Sequence, residues 1–154
     1  MQKKVINILY VDDEMNNLVS FKAVFRVKYN VFTAISGEEA IKVLNDNPIN
    51  IIITDQRMPN MTGVEFLETI MGDHPDPIRI LLTGYADMNA VVDAVNKGKI
   101  FHYLTKPWNE EELDMNIVRA YEEYRKKMDE REANEKLSIS NEQLEFLLRQ
   151  KLLS

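Results

Sequence analysis

Ile51-Ile52-Ile53-Thr54-Asp55 is a short β-branched run that stops on a carboxylate. A stretch this short, with no polar face, reads as a strand buried on both faces of a parallel sheet. Three further runs follow the same plan. Ile6-Asn7-Ile8-Leu9-Tyr10-Val11 ends in Asp12-Asp13-Glu14, Ile78-Arg79-Ile80-Leu81-Leu82 ends in Thr83, and Ile100-Phe101-His102-Tyr103-Leu104-Thr105 ends in Lys106. Open parallel sheets bind ligands in the crevice outside the carboxyl ends of their strands. Carboxylates, a hydroxyl and an ammonium are therefore expected in one place, and each can act on a phosphoryl group.

The intervening segments read as helices. Leu18, Phe21, Ala23, Val24 and Phe25 mark a first helix after Asn16-Asn17. Val31-Phe32-Thr33-Ala34-Ile35 is a second strand, and Ser36 with Glu39 fits a capping box that opens the next helix. Val64, Phe66, Leu67 and Ile70 mark a third helix, and Ala90, Val91, Ala94 and Val95 a fourth that stops near Gly98. Repeated β-α alternation implies a parallel sheet with helices on both faces.

With 154 residues, 45% of them hydrophobic, the chain suggests one domain with a real core. It has no cysteine, which excludes disulfide and thiolate chemistry and fits a reducing cytoplasm. Its net charge of -6 argues against direct nucleic-acid binding, which needs clustered Lys and Arg. No apolar run approaches the roughly 18 residues of a membrane-spanning helix. The start, Met1-Gln2-Lys3-Lys4, lacks the features of a signal peptide.

The last helix is different. It is expected to begin near Trp108-Asn109 and meets no Gly or Pro through Ser154. Val118, Tyr121, Tyr124 and Met128 would face the core or a partner, residues 129–136 are almost wholly polar, and Leu137, Leu144, Leu147, Leu148 and Leu152 resume an apolar stripe. Glu122-Lys126, Glu123-Lys127, Glu132-Lys136 and Glu145-Arg149 are spaced for helical ion pairs. The expected organisation is a domain over residues 1–128 and a helical extension over 129–154. That extension would be a linker or a coiled coil joining two copies, although the heptad phase slips across the polar gap. The chain stops inside this helical pattern, so it is expected to be the front of a longer protein, with residues 120–154 leading to an effector.

Asp12, Asp13 and Asp55, brought together, would repel one another unless a cation joins them. A hard divalent ion with oxygen ligands answers that need, and Mg²⁺ is the usual one where carboxylates share it with phosphate and water. Asp55 is the candidate nucleophile for an aspartyl-phosphate, with Lys106 and Thr83 to neutralise and hydrogen-bond the phosphoryl oxygens. Singly, each residue has a plainer role: Asp12 or Asp13 as a helix cap, Thr83 as a strand end, Lys106 as a surface lysine. The set carries the argument.

Val11-Asp12-Asp13-Glu14, Thr54-Asp55 with Met58-Pro59 and Gly63, Leu82-Thr83-Gly84, and Tyr103-Leu104-Thr105-Lys106-Pro107 together resemble the receiver domain of bacterial two-component response regulators, over roughly residues 5–128. The resemblance implies a flavodoxin-like (βα)5 fold with sheet order 2-1-3-4-5. It implies a phosphoacceptor switch rather than an enzyme, with Asp55 taking phosphate from a histidine kinase or a phosphotransfer protein. It further implies Mg²⁺ held by Asp12, Asp13, Asp55 and the backbone carbonyl of Arg57. Thr83 and Lys106 would contact the phosphoryl group, Tyr103 would be the switch aromatic, and the Lys106-Pro107 bond would be cis. Arg57 departs from the usual pattern two residues after the acceptor and bears on phosphate lifetime. Trp108 stands where the family often has phenylalanine and should pack as an apolar anchor.

Two other functions compete. A phosphatase of the haloacid dehalogenase type would use an aspartyl nucleophile, but its second acid is replaced here by Arg57. A module that only dimerises would have no use for the acceptor set. His74 and His102 stand isolated, without metal-ligand spacing, and are expected to be structural or exposed.

Overall fold

The computed structural model describes residues 5–98 and 100–153, so the readings of the chain's first residues and of Ser154 lie outside the described residues. The strands are β1 (Asn7–Val11), β2 (Asn30–Ala34), β3 (Ile51–Asp55), β4 (Ile78–Thr83) and β5 (His102–Thr105). The helices are α1 (Met15–Phe25), α2 (Gly37–Asp46), α3 (Gly63–Ile70), α4 (Met88–Asn96) and α5 (Glu110–Leu153), with a 3-10 turn at Tyr85–Asp87 before α4. All neighbouring strands are parallel, in the expected order β2-β1-β3-β4-β5.

Side-chain alternation divides the core into two layers. Ile8, Tyr10, Ile53, Ile80 and Leu104 point to the face covered by Phe21 and Phe25 of α1 and by Leu113 and Ile117 of α5. Leu9, Val11, Ile52 and Leu81 point to the opposite face, under Leu44 of α2, Phe66 of α3 and Val91 of α4. The isoleucines of β3 are fully buried, which explains why that run shows no polar alternation.

Local chemistry sets the helix starts. Ser36 Oγ accepts from the Glu39 amide at 3.1 Å, while the Glu39 carboxylate reaches back to the Ile35 amide at 2.7 Å. Thr62 caps α3 through the Glu65 amide at 3.2 Å, and Asn109 caps α5 through the Glu112 amide at 3.1 Å. Helix α1 opens at Met15, earlier than expected, because the Glu14 carbonyl already accepts from the Asn17 and Leu18 amides. Strand β5 starts at His102, after buried Ile100 and exposed Phe101, although the Phe101 amide already donates to the Arg79 carbonyl of β4 at 2.7 Å. His102 is exposed beside the Tyr103 ring, not packed under a helix.

Helix α5 packs through Leu113, Ile117 and Ala120, and Trp108 just before it sits against Phe21 and Phe25. Its last grip on the domain is polar. Lys127 Nζ donates to the Pro75 carbonyl at 2.7 Å, and the Arg131 guanidinium makes a two-pronged bond to Asp76 at 2.7 and 3.0 Å. Residues 129–153 are exposed, Leu137, Leu144, Leu147, Leu148 and Leu152 among them. At 1.5 Å per residue this segment runs about 37 Å.

Candidate functional site

The alternation that builds the core also assembles the site. Asp12 continues the row of Ile8 and Tyr10, Asp55 that of Ile51 and Ile53, and Lys106 that of Leu104, so all three fall on the α1–α5 side at the strand ends. Backbone bonds tie the ends together: the Gln56 amide donates to the Leu82 carbonyl at 3.0 Å and the Lys106 amide to the Thr83 carbonyl at 2.9 Å. Lys106 Nζ lies 2.9 Å from Asp55 Oδ1 and 3.9 Å from Asp12 Oδ2. One carboxylate oxygen each of Asp12, Asp13 and Asp55 fall within 4.8 Å of one another. A cavity of about 420 Å³ opens over Asp13, Asp55, Arg57, Asp87 and Lys106.

Electrostatics strain this arrangement. Burial pushes the Asp55 carboxyl above its ordinary range; Lys106 pulls it back and Asp12 adds to the rise. A divalent cation among the three oxygens would relieve the crowding, and an all-carboxylate set suits a hard ion. Asp12 is fixed by three neutral donors: Tyr10 Oη at 3.1 Å, Asn17 Nδ2 at 3.0 Å and the Glu14 amide at 3.0 Å. Burial, followed by the Asp12 charge and the bond to Asp12, holds the Tyr10 hydroxyl protonated far above its usual range, so it remains a donor.

Thr83 is buried at the end of β4, its hydroxyl donating to the Gly84 carbonyl at 3.1 Å. Tyr103 is half-buried and packs with the α2–α4 core layer; Leu81 is its register partner, two residues before Thr83. Thr83 and Tyr103 thus share the α4 face, opposite Asp55. The Lys106-Pro107 peptide is cis. The Arg57 side chain turns outward, its Nε 3.0 Å from Asp87 Oδ2.

Several site-shaping residues escaped sequence reading. Tyr10 and Asn17 hold Asp12, and the only sequence hint was a hydroxyl two residues before an acid in an otherwise apolar strand. Gln56 staples the loop after β3: its carbonyl accepts from the Gly63 amide at 2.9 Å and its side chain from the Val64 amide at 3.0 Å. Gly63, by contrast, was among the motif residues read from the sequence, and space requires it: a Cβ there would lie 2.4 Å from the Asp55 carbonyl oxygen and 2.8 Å from Leu81 Cδ1.

A sequence model of the response regulator receiver domain matches residues 8–118. The chain is 34% identical over 122 residues to the hydrogenase transcriptional regulatory protein HoxA of Cupriavidus necator, covering 79% of this chain and 25% of that protein. It is 32% identical to the transcriptional regulatory protein GlrR of Escherichia coli, covering 85% of this chain and 30% of that one. It therefore spans only about a quarter to a third of the length of these relatives. Among solved structures, one described as an adenylate cyclase from Rhodopirellula baltica matches with a TM-score of 0.83 at 29% identity, over 86% of this chain and 99% of that one. A response regulator receiver domain protein from Clostridium thermocellum matches at 0.74 and 32% identity, over 80% and 98%. Sequence, sheet order and the acidic cluster agree: this chain belongs to the response regulator receiver domain family, whose members switch on phosphorylation.

Proposed function

We propose that Asp55 is the phosphoacceptor and that this chain is the receiving half of a two-component signalling pair. The observation that carries the reading is the Lys106 ammonium 2.9 Å from Asp55 Oδ1, with Asp12 and Asp13 close by. An Asp55 oxygen attacks the phosphorus of a phosphohistidine on a sensor histidine kinase or phosphotransfer protein. The P–N bond breaks, and the imidazole leaves with the electron pair and takes up a proton. Lys106 faces the charge that builds on the phosphoryl oxygens, and the Thr83 hydroxyl turns from the Gly84 carbonyl to donate to one of them.

Mg²⁺ fits the donor set. Asp12, Asp13, Asp55 and the Arg57 carbonyl would hold it, and it would supply charge neutralisation at the phosphoryl group. Asp12 has three donors and room for one more contact. The chain's own residues do the rest: Tyr10 and Asn17 orient Asp12, and the Gln56 staple aims Asp55.

Displacement of Thr83 would open space on the α4 face, where Tyr103 turns inward and reshapes the surface of α4, β5 and α5. Residues 1–128 are then the switch and 129–154 the output connection. Leu137, Leu144, Leu147 and Leu148 support pairing with a second copy through α5 and onward connection to an effector. The net charge of -6 supports an output other than nucleic-acid contact by this segment. No helix among the described residues is long and apolar enough to cross a membrane, and the reading places the chain in the cytoplasm.

Incubation with Mg²⁺ and acetyl phosphate should leave one base-labile phosphate on the protein, absent from Asp55→Ala. Undiminished labelling of that variant would refute the assignment. Steady turnover of added phosphomonoesters would instead support the phosphatase reading.

A further inference from the structure

Asp87 stands at the N-cap position of α4, where an aspartate normally accepts a bond from the second or third helical amide. It makes no such bond. Ser36, Thr62 and Asn109 before α2, α3 and α5 do, and Glu14 before α1 does not. The Asp87 backbone (φ -106°, ψ 11°) closes the 3-10 turn where Ser36 and Thr62 are extended, so capping by Asp87 includes opening of that turn. The Asp87 carboxylate is turned instead toward Arg57, whose Nε lies 3.0 Å from its Oδ2. The two side chains bridge the loop after β3 and the turn before α4, across the mouth of the cavity that holds Asp55.

We propose that Asp87 is a two-position element: it pairs with Arg57 while Asp55 is free, and caps α4 when Asp55 carries a phosphoryl group. The proposal rests on Asp55 being the acceptor. Arg57 is two residues from Asp55 and lines the same cavity. Its present partnership is weak, because the Arg57 side chain is 74% exposed and water screens the pair. A phosphoryl dianion offers that guanidinium a two-pronged, charge-assisted bond that a single Asp87 oxygen does not match. Once Arg57 changes partner, the Asp87 carboxylate is free to turn to the first-turn amides of Asn89 and Ala90, at the positive end of the α4 dipole. A negative group there tightens the first turn of α4. Asp87 is thus a positioning residue, and it reports occupancy of Asp55 to α4 by a route separate from Thr83 and Tyr103.

Amide hydrogen exchange at Asn89 and Ala90, with and without beryllium trifluoride and Mg²⁺ as the phosphoryl mimic, tests this. Fluorine resonance of the bound mimic records occupancy independently. In the parent protein, loading should slow exchange at these two amides roughly fivefold, the effect of a cap of ordinary strength. Arg57→Gln frees Asp87 and should show the slow exchange before loading. Asp87→Asn keeps a capping oxygen but loses the charge that holds Arg57, and should shift toward the same slow exchange before loading. Asp87→Ala should exchange fast in both states while still binding the mimic.

Bound mimic with unchanged exchange at Asn89 and Ala90 in the parent protein would overturn the proposal. So would Arg57→Gln behaving like the unloaded parent. Failure of the parent to bind the mimic at all would refute the acceptor reading, and with it a phosphorylation-driven exchange.

Discussion

Lys106→Met removes the cation from the acidic site while keeping the length of the side chain. Lys106 Nζ is 2.9 Å from Asp55 Oδ1, and the two side chains are 32% and 8% exposed. That lies between an exposed pair, worth about 0–1 kcal/mol, and a buried pair, whose breaking costs about 3–5 kcal/mol. A charge-assisted bond in this setting contributes about 2 kcal/mol. At about 2–4 °C per kcal/mol for a chain of this size, the melting temperature should fall by about 4–8 °C without Mg²⁺. The loss should depend on pH. The folded pKa of Asp55 lies above its unfolded value, so the stability tied to this group is fully present below about 3.9 and is lost as pH rises through the folded pKa. Removing Lys106 raises the folded pKa further, so the penalty should be small near pH 3 and full at pH 7. A double-mutant cycle with Asp55→Asn, read by urea unfolding at pH 7, isolates the pair; Lys106→Met should then cost under about 0.5 kcal/mol in the Asn background. Equal costs in both backgrounds, or a penalty that ignores pH, would refute the account of how the site is balanced.

Gly63→Ala places a Cβ against the Asp55 carbonyl, which cannot yield, so the start of α3 must shift; urea unfolding should show a loss of about 1–3 kcal/mol. Asp13→Ala removes one carboxylate from the cluster and should weaken Mg²⁺ binding, followed by Trp108 fluorescence, and slow labelling by acetyl phosphate while leaving the melting temperature near that of the parent. A chain ending after Glu132 keeps the Arg131–Asp76 bond but loses the leucine stripe; sedimentation should show it monomeric at concentrations where the full chain associates.

The runs of β1, β3 and β4 announced the fold because burial on both faces leaves a composition that few other structures produce; the β5 run reads the same way but forms an edge strand in which only Leu104 is buried. The same periodicity made Asp12, Asp55 and Lys106 readable as neighbours, since strand ends converge in any open parallel sheet. What stayed hidden depends on contacts between distant segments. Nothing in Tyr10 or Asn17 says that both donate to Asp12. Nothing in Arg57 or Asp87, thirty positions apart, says that they meet. Helical spacing anticipated the Glu132–Lys136 and Glu145–Arg149 pairs, found at 3.2 and 3.9 Å. It did not anticipate that Lys127 would reach the Pro75 carbonyl, because that partner lies in a loop fixed only once the sheet is closed.

The grip of Lys127 and Arg131 on Pro75 and Asp76 makes the body of the domain the short arm of a lever. The fulcrum is at the far end of β4 from the acidic cluster, and the long arm is the roughly 33 Å of helix beyond Arg131. A tilt of about 5° at that fulcrum would sweep the tip through about 3 Å. Sub-ångström adjustments around Asp55 can in this way become displacements comparable to the spacing between side chains on a neighbouring helix. Weakening the fulcrum, as Asp76→Ala would, should leave phosphorylation intact while its effect on helix pairing fades.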